Sequence, residues 1–344
     1  MRVLAGDIGG TKTAIAVIDI GPASLTVHRL QRYASAVYPG LEDIVEDFLG
    51  SERTLPDAAG FGVAGPVRQG SARITNLPWR IETRQLSRRT GIRRVALQND
   101  FVSAAMGLRF LKPAQLATLA RGRPEPEAPI AILGAGTGLG QAAVVQVQGH
   151  DVVVPSEGGH VDLGPTNEVQ DRLVAYLRHK FGRASRERVL SGPGLVRIYE
   201  FLKIDGAARE SREVLAAFKG SDDRAAVISR FGLSRRDPLC RAALDLFVSI
   251  YGSEAGNAAL QYRATGAVYL GGGIAPKILP ALRRPAFLRA FRSKPPMQDL
   301  LSRIPVRVIL DPRLGLFGAA AGAYRTRIDT TRSSSTTTVR RARS

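Results

Sequence analysis

Gly6-Asp7-Ile8-Gly9-Gly10-Thr11-Lys12 is the stretch on which the reading of this chain turns. Arg2 to Ile8 is β-like and Lys12 to Asp19 is a second apolar run, so the glycines and Thr11 make the turn of a β-hairpin. Glycines there let backbone N–H groups approach phosphate oxygens without a Cβ clash. The Thr11 hydroxyl can donate to phosphate, and Asp7 can hold a hydrated Mg²⁺. The stretch is not a Walker A loop. In that motif a glycine precedes the lysine and a helix follows, whereas here Thr11 precedes Lys12 and the chain continues as a strand.

Working outward, Thr26 to Tyr33 reads as a third strand and Leu41 to Leu49 as an amphipathic helix with Leu41, Ile44, Val45 and Phe48 on one face. A buried strand at Ala58 to Val63, a helix near Glu82 to Arg89, a strand at Arg94 to Leu97 and a helix from Phe101 to Leu111 complete a βββαβαβα order. Lys112 to Pro129 holds Pro113, Pro124, Pro126, Pro129 and Gly122, which break periodic structure and mark a connection between lobes. The pattern then restarts. Ile130 to Leu133 and Gln141 to Val147 are strands around Gly134-Ala-Gly-Thr-Gly-Leu-Gly140. That spacing does not meet G-x-G-x-x-G and no helix opens after it, so a dinucleotide site is excluded. One glycine turn is ordinarily just a hairpin. Two, each containing a threonine and each opening one half of the chain, point to a pair of phosphate turns on a duplicated unit.

The second half reads as helical near Glu168 to Phe181, Gly194 to Leu202, Arg212 to Phe218 and Pro238 to Tyr262. On the last of these, Leu239, Ala243, Leu246 and Ile250 form a core-facing stripe. A strand at Ala267 to Leu270, the glycines Gly271 to Gly273, another helix, a strand at Val306 to Leu310 and a helix from Leu314 to Tyr324 follow.

The 344 residues exceed one ordinary core, so two lobes are expected. The formal charge of +19 is spread through the chain with few aromatics between the arginines, and six arginines against one aspartate lie from Arg325 onward. A solvated basic surface and tail are expected, with no nucleic acid partner. One cysteine, Cys240, excludes an internal disulfide and a cysteine-rich zinc site and fits a reducing compartment. The chain shows no leader and no run of 18 apolar residues, so a cytoplasmic protein without a membrane partner is expected.

Asp7 with its glycines and threonine, the second Gly-Thr-Gly turn and Gly271-Gly272-Gly273 resemble the signatures of the hexokinase, Hsp70 and actin ATPase fold. Four further stretches narrow this. Leu97-Gln-Asn99-Asp100-Phe, Ser156-Glu157-Gly-Gly-His160-Val-Asp162, Glu187-Arg-Val-Leu-Ser-Gly-Pro-Gly194 and Leu314-Gly-Leu-Phe-Gly318 resemble the bacterial glucokinase family, over about Val3 to Tyr324. The resemblance implies an α/β, two-lobed actin-like ATPase (ribonuclease H-like) fold, each lobe a mixed sheet with flanking helices and a cleft between. Its small lobe would span 1–111, completed by a helix at 314–325, and its large lobe 112–313; outside the resemblance, the low-complexity composition of 326–344 reads as a disordered basic tail.

The resemblance also implies that Asn99, Asp100, Glu157, His160 and Glu187 contact glucose. It implies that Gly6, Asp7, Ile8, Gly9, Gly10, Thr11, Gly136, Thr137 and Gly272 bind ATP, and that Asp7 reaches Mg²⁺ through water. Carboxylates and an amide suit a ring of hydroxyls, which each donate and accept. Each residue has a plainer reading: Asn99-Asp100 as an N-cap pair, Glu157 as a loop acid, His160 as a structural histidine, Glu187 as a helix charge. Their joint occurrence in order favours the sugar. Asn76 and Trp79 are candidates for the sugar entrance, with packing an equal reading for Trp79. The expected reaction is ATP-dependent phosphorylation of D-glucose on its 6-hydroxyl, with Asp100 as general base. The alternatives are a kinase for another hexose or N-acetylhexosamine and a non-catalytic sugar or nucleotide sensor. Glucose and ATP are the expected partners, and a homodimer is the oligomer allowed for.

Overall fold

The structure, a computed structural model, describes residues 1–50, 54–74 and 77–326; Asn76 and the tail beyond 326 lie outside the described residues. The chain divides into two units, one formed by Met1–Pro113 with the segment from Asp311 onward, the other by Ala114–Leu310.

Unit one is built on β1 (Arg2–Ile8), whose Val3, Leu4, Ala5 and Ile8 are buried, and on its hairpin partner β2 (Lys12–Ile20). β3 (Leu25–Ala34) pairs antiparallel with β2 and is half exposed. The apolar face of α1 (Leu41–Leu49) packs into the core of this unit with Phe61, Trp79 and Ile81. β4 (Ala58–Val63) is buried at every position, as a central parallel strand must be. β5 (Val67–Arg68), β6 (Ser71–Arg73) and β7 (Arg80–Glu82) form a small antiparallel sheet that the sequence did not announce. Its first turn is carried by Gln69 and Gly70, both at positive φ. α2 (Thr83–Thr90) ends on the left-handed Gly91 and is tied to α1 through Arg89, which pairs with Asp43 and Glu46. β8 (Val95–Asn99) then leads directly into α3 (Asp100–Gly107). The sheet order is β3-β2-β1-β4-β8, and a helix over residues 314–326 returns to this unit. Gly318 meets that helix's neighbour so closely that its Cα lies against the Ser103 carbonyl, which leaves no room for a Cβ.

Unit two begins with a correction. The proline-bounded connection contains β9 (Leu116–Ala120), which pairs antiparallel at the sheet edge. Its prolines flank the Leu-Ala-Thr-Leu-Ala run and do not interrupt it, so the strand forms. β10 (Ile130–Ala135), β11 (Leu139–Val147) and β12 (His150–Ser156) are an antiparallel meander; the last was not foreseen, because its alternation is broken by Pro155. The helices α4 (Glu168–Phe181), α5 (Gly192–Ile204), α6 (Arg212–Lys219), α7 (Arg224–Ser234) and α8 (Pro238–Gln261) follow. The sequence reading missed α7, and where it expected one helix after the glycines there are α9 (Leu279–Leu282), α10 (Pro285–Arg292) and α11 (Gln298–Arg303). β13 (Ala267–Gly271) and β14 (Val306–Ile309) complete the sheet β12-β11-β10-β13-β14-β9. Its first five strands repeat the order and the parallel or antiparallel sense of the unit-one sheet, so the duplication suggested by two glycine hairpins is present in topology. α8 lies in the core of this unit, its Gly252 against the Phe287 backbone of α10.

Candidate active site

In unit one the glycine turn opens at the end of β1. Gly6 is buried against the Phe61 ring and Ile8 is a core residue, so within the motif the accessible residues are Asp7, in part, and Gly9 to Lys12. The Gly9 N–H donates to the Lys12 carbonyl at 3.1 Å. A residue missed in the sequence braces the turn from behind. Ser35, fully buried, donates through Oγ to the Gly9 carbonyl at 2.9 Å, shares a hydrogen bond with Thr13 Oγ1 at 3.0 Å, and gives its N–H to the Thr11 carbonyl at 3.1 Å. No signal in the sequence marks it, because a serine after a strand is common.

Asp7 and Asp100 come from different strand ends of the same unit. Burial first, and then the Asp100 carboxylate, push Asp7 up to about 6. Its carboxyl lies against Gly315, in the first turn of the 314–326 helix, where any side chain would collide with it. That explains the glycine in Leu314-Gly-Leu. Asn99 caps α3, its Oδ1 accepting from the Phe101 and Val102 N–H groups, while its Nδ2 donates to the Gly65 carbonyl at 3.3 Å. The N-cap reading of Asn99 is therefore correct, and the capping is what sets Asp100 at the N-terminus of α3. There Asp100 Oδ1 accepts from the Phe101 N–H at 2.9 Å. Gln98, one residue earlier, donates to Ser103 Oγ at 2.5 Å and to the Gly318 carbonyl at 2.9 Å, pinning the strand end to both helices. Trp79 is 3% exposed and donates Nε1–H to the Tyr38 carbonyl, so its indole is packing.

In unit two the second turn, Gly136 to Gly138, sits between β10 and β11, with the Gly136 N–H donating to the Gly138 carbonyl at 2.8 Å. Glu187, on a short 3₁₀ turn, accepts the Leu139 N–H through Oε2 at 3.0 Å and lies against Gly138, which has no side chain to obstruct it. Glu187 Oε1 is 4.0 Å from His160 Nδ1. His160 and Glu157 flank another 3₁₀ turn, Gly158–His160, whose Gly159 packs on the Leu139 carbonyl. Both side chains are exposed. The structure thus gathers Glu157, His160 and Glu187 around the start of β11, beside the glycine turn.

The N-terminus of α5 closes on the same turn: Ser191 caps it, and the Gly192 N–H donates to the Gly136 carbonyl at 2.8 Å. A cavity of about 1410 Å³ extends from Gly136 and Thr137 past the α5 N-terminus to α7 and to Gly273 and Lys277. Gly272, at φ +77°, makes the tight turn against Ala135, and its neighbour Gly273 lines the cavity. α7, the helix the sequence did not disclose, forms one wall with Arg224, Ala225 and Ser229. The positive end of a helix dipole beside a glycine turn suits phosphate. Among the described residues no cluster of three or more His, Cys, Asp or Glu is arranged to hold a metal, and no helix is long and apolar enough to cross a membrane.

A family model described as Glucokinase matches residues 4–326. A glucokinase of Nostoc punctiforme is 42% identical over 338 residues, covering 94% of this chain and 99% of that protein. Among solved structures, a glucokinase from an Antarctic psychrotroph superimposes with a TM-score of 0.83 at 28% identity, over 94% of this chain and 99% of that one. A ROK family glucokinase from Streptomyces griseus, solved with glucose and AMPPNP, gives 0.65 at 23% identity over 94% and 100%.

Proposed function

The chain belongs to the glucokinase family, has its actin-like ATPase fold and phosphorylates D-glucose with ATP; from that premise we propose which of its own residues do so. Asp100 takes the proton of the glucose 6-hydroxyl as the oxygen attacks the γ-phosphorus of ATP, and ADP leaves. The observation that carries this is its position: a carboxylate at a strand's carboxyl end, fixed by the Asn99 cap and by Gln98, and close enough to Asp7 to raise that residue's proton affinity. Phosphoryl transfer asks a protein chiefly for positioning and charge neutralisation. Backbone N–H groups of the turn at Gly9 to Lys12 and of the turn at Gly136 to Gly138 donate to the phosphates of ATP, the positive end of α5 favours their charge, and the nucleoside occupies the cavity walled by α7.

Asp7 and Asp100 fit a hydrated Mg²⁺. Their oxygens are hard donors, and a divalent cation beside them would offset the repulsion by which the Asp100 carboxylate raises the proton affinity of Asp7. Bound there through water, Mg²⁺ would supply neutralisation of phosphate charge. Glu157, His160, Glu187 and Asn99 hold the other glucose hydroxyls, each of which needs a directional acceptor or donor. The Nostoc punctiforme relative is named a glucokinase, and the Streptomyces griseus glucokinase was solved with glucose and AMPPNP. Glucose-dependent ADP release by the purified protein tests the assignment: mannose, fructose and N-acetylmannosamine should give far slower turnover. ATP hydrolysis unaffected by any sugar would overturn it.

A further inference from the structure

Glu254 lies within α8 and has no part in the chemistry above, yet its side chain is only 3% exposed. Three donors converge on it. Arg186 Nη1 at 2.6 Å and Gln141 Nε2 at 2.7 Å share Oε1, and Asn257 Nδ2 donates to Oε2 at 3.0 Å. Burying a carboxylate is costly, and a buried ion pair contributes little to stability compared with apolar packing, so such a group calls for a reason other than holding the core together.

The two donors from outside α8 supply one. Arg186 directly precedes Glu187, the carboxylate that accepts from the second glycine turn. Gln141 stands opposite Ser156 in the β11–β12 ladder, and its side-chain amide fills the space where a Cβ of Gly158 would go. Gly158 follows Glu157 and opens the turn that ends at His160. Gln141 Oε1 is buried without a hydrogen-bond partner among the described residues, so the orientation of that amide depends on its bond to Glu254. One carboxylate therefore sits beneath both segments that carry Glu157, His160 and Glu187.

We infer that Glu254 is a positioning residue that fixes the Glu157–His160 turn and the Arg186–Arg188 turn in one register for sugar binding. The inference rests on the sugar-side reading of Glu157, His160 and Glu187. Misplacing binding groups by about 1 Å is enough to cost on the order of 10²-fold in catalysis.

The test uses the full chain with Glu254→Gln, which keeps the volume but removes the charge that holds Arg186. The KM for glucose should rise about tenfold, and amide exchange should quicken at Leu139, which donates to Glu187, and at Gly158, with no change in the β1–β2 hairpin. Arg186→Met approaches from the other partner and should do the same. It leaves Glu254 with its bonds from Gln141 and Asn257 and with the Lys294 cation nearby; if Glu254→Gln fails to fold, this variant carries the test. Unchanged exchange at Leu139 and Gly158 overturns the inference whatever happens to KM. Faster exchange with an unchanged KM for glucose leaves the positioning intact and overturns the sugar-side reading instead.

Discussion

The turn between β1 and β2 is held by hydroxyls and backbone: Ser35 and Thr13 sit behind Gly9, and no acid touches the turn's backbone in the bonds described. The turn between β10 and β11 is held by a carboxylate and a helix end, Glu187 on the Leu139 N–H and α5 on the Gly136 carbonyl. Both hairpins occupy the same place in the same strand order. The difference is in what else the bracing group does. Ser35 only supports its turn. Glu187 also stands beside His160, so under the proposed function the support of a phosphate turn and the recognition of sugar would be joined in one side chain. Unit one keeps its acids apart from its turn, in Asp7 and Asp100, where the Asp100 carboxylate raises the proton affinity of Asp7.

The largest effect should come from Asp100. Asp100→Asn keeps an oxygen to accept the Phe101 N–H but cannot take a proton. Its kcat should fall by at least about 10²-fold with glucose affinity changed only a few-fold. A steady-state measurement that finds more than about a tenth of the kcat remaining would remove Asp100 as the base.

Next in size, Glu157→Ala and Glu187→Gln separate the two duties of unit two. Glu157→Ala strips a sugar contact alone, so the KM for glucose should rise about ten- to a hundredfold while that for ATP stays within about threefold. Glu187→Gln disturbs both the sugar and the Leu139 N–H, so both constants should rise. Initial rates over a grid of the two substrates check this. A Glu187→Gln enzyme with a normal constant for ATP would break the coupling on which the contrast rests.

Which of these residues were legible in the sequence follows from how they are recruited. Asp7, the two threonine-containing turns and Asp100 lie at chain positions where glycine or a strand end leaves a local mark. Long uniform helices such as Glu168–Phe181 and fully buried strands such as Ala58–Val63 are equally marked by their periodicity. β9 and β12 escaped because edge strands need less apolar pattern and tolerate prolines at or near their ends. α7 escaped because half its faces line a cavity, so small and charged residues stand where an apolar stripe would otherwise be. Ser35, Gln98 and Glu254 were invisible for a different reason: each acts through contacts far along the chain, and no local spacing records them.

A smaller effect, and of opposite sign, is expected at Asp7. Folded, its carboxyl holds a proton up to about pH 6; unfolded, it loses the proton near the model-compound value of 3.8. The unfolded chain is thus the first to ionise, and stability falls as pH rises from about 4 to about 6 and stays lower above that. Asp7→Asn removes the penalty. It should stabilise the ligand-free protein by about 3 kcal/mol at pH 7.5 and by almost nothing below pH 4, while turnover collapses. Urea unfolding at the two pH values measures the difference, and equal stability of wild type and variant at pH 7.5 would mean that Asp7 bears no uncompensated charge.

The smallest effect sharpens the contrast from the other turn. Ser35→Ala leaves the Gly9 carbonyl and the Thr13 hydroxyl without their shared partner inside a fully buried site. Losing such bonds costs on the order of 1–2 kcal/mol, and because the bonds described for the Ser35 side chain go only to the Gly9 carbonyl and the Thr13 hydroxyl, the loss should appear in the nucleotide constant and not in the sugar constant. The KM for ATP should rise about threefold, with the KM for glucose and the apparent base pKa in the pH–kcat profile unmoved. Thr13→Val removes the other hydroxyl of the pair and should give a similar change. Combined with Ser35→Ala it should add little, since the bond between the two is already gone. A glucose constant that rises in either variant would mean that the first turn, like the second, is wired to sugar recognition, and the distinction between a purely supporting brace and a shared one would fail.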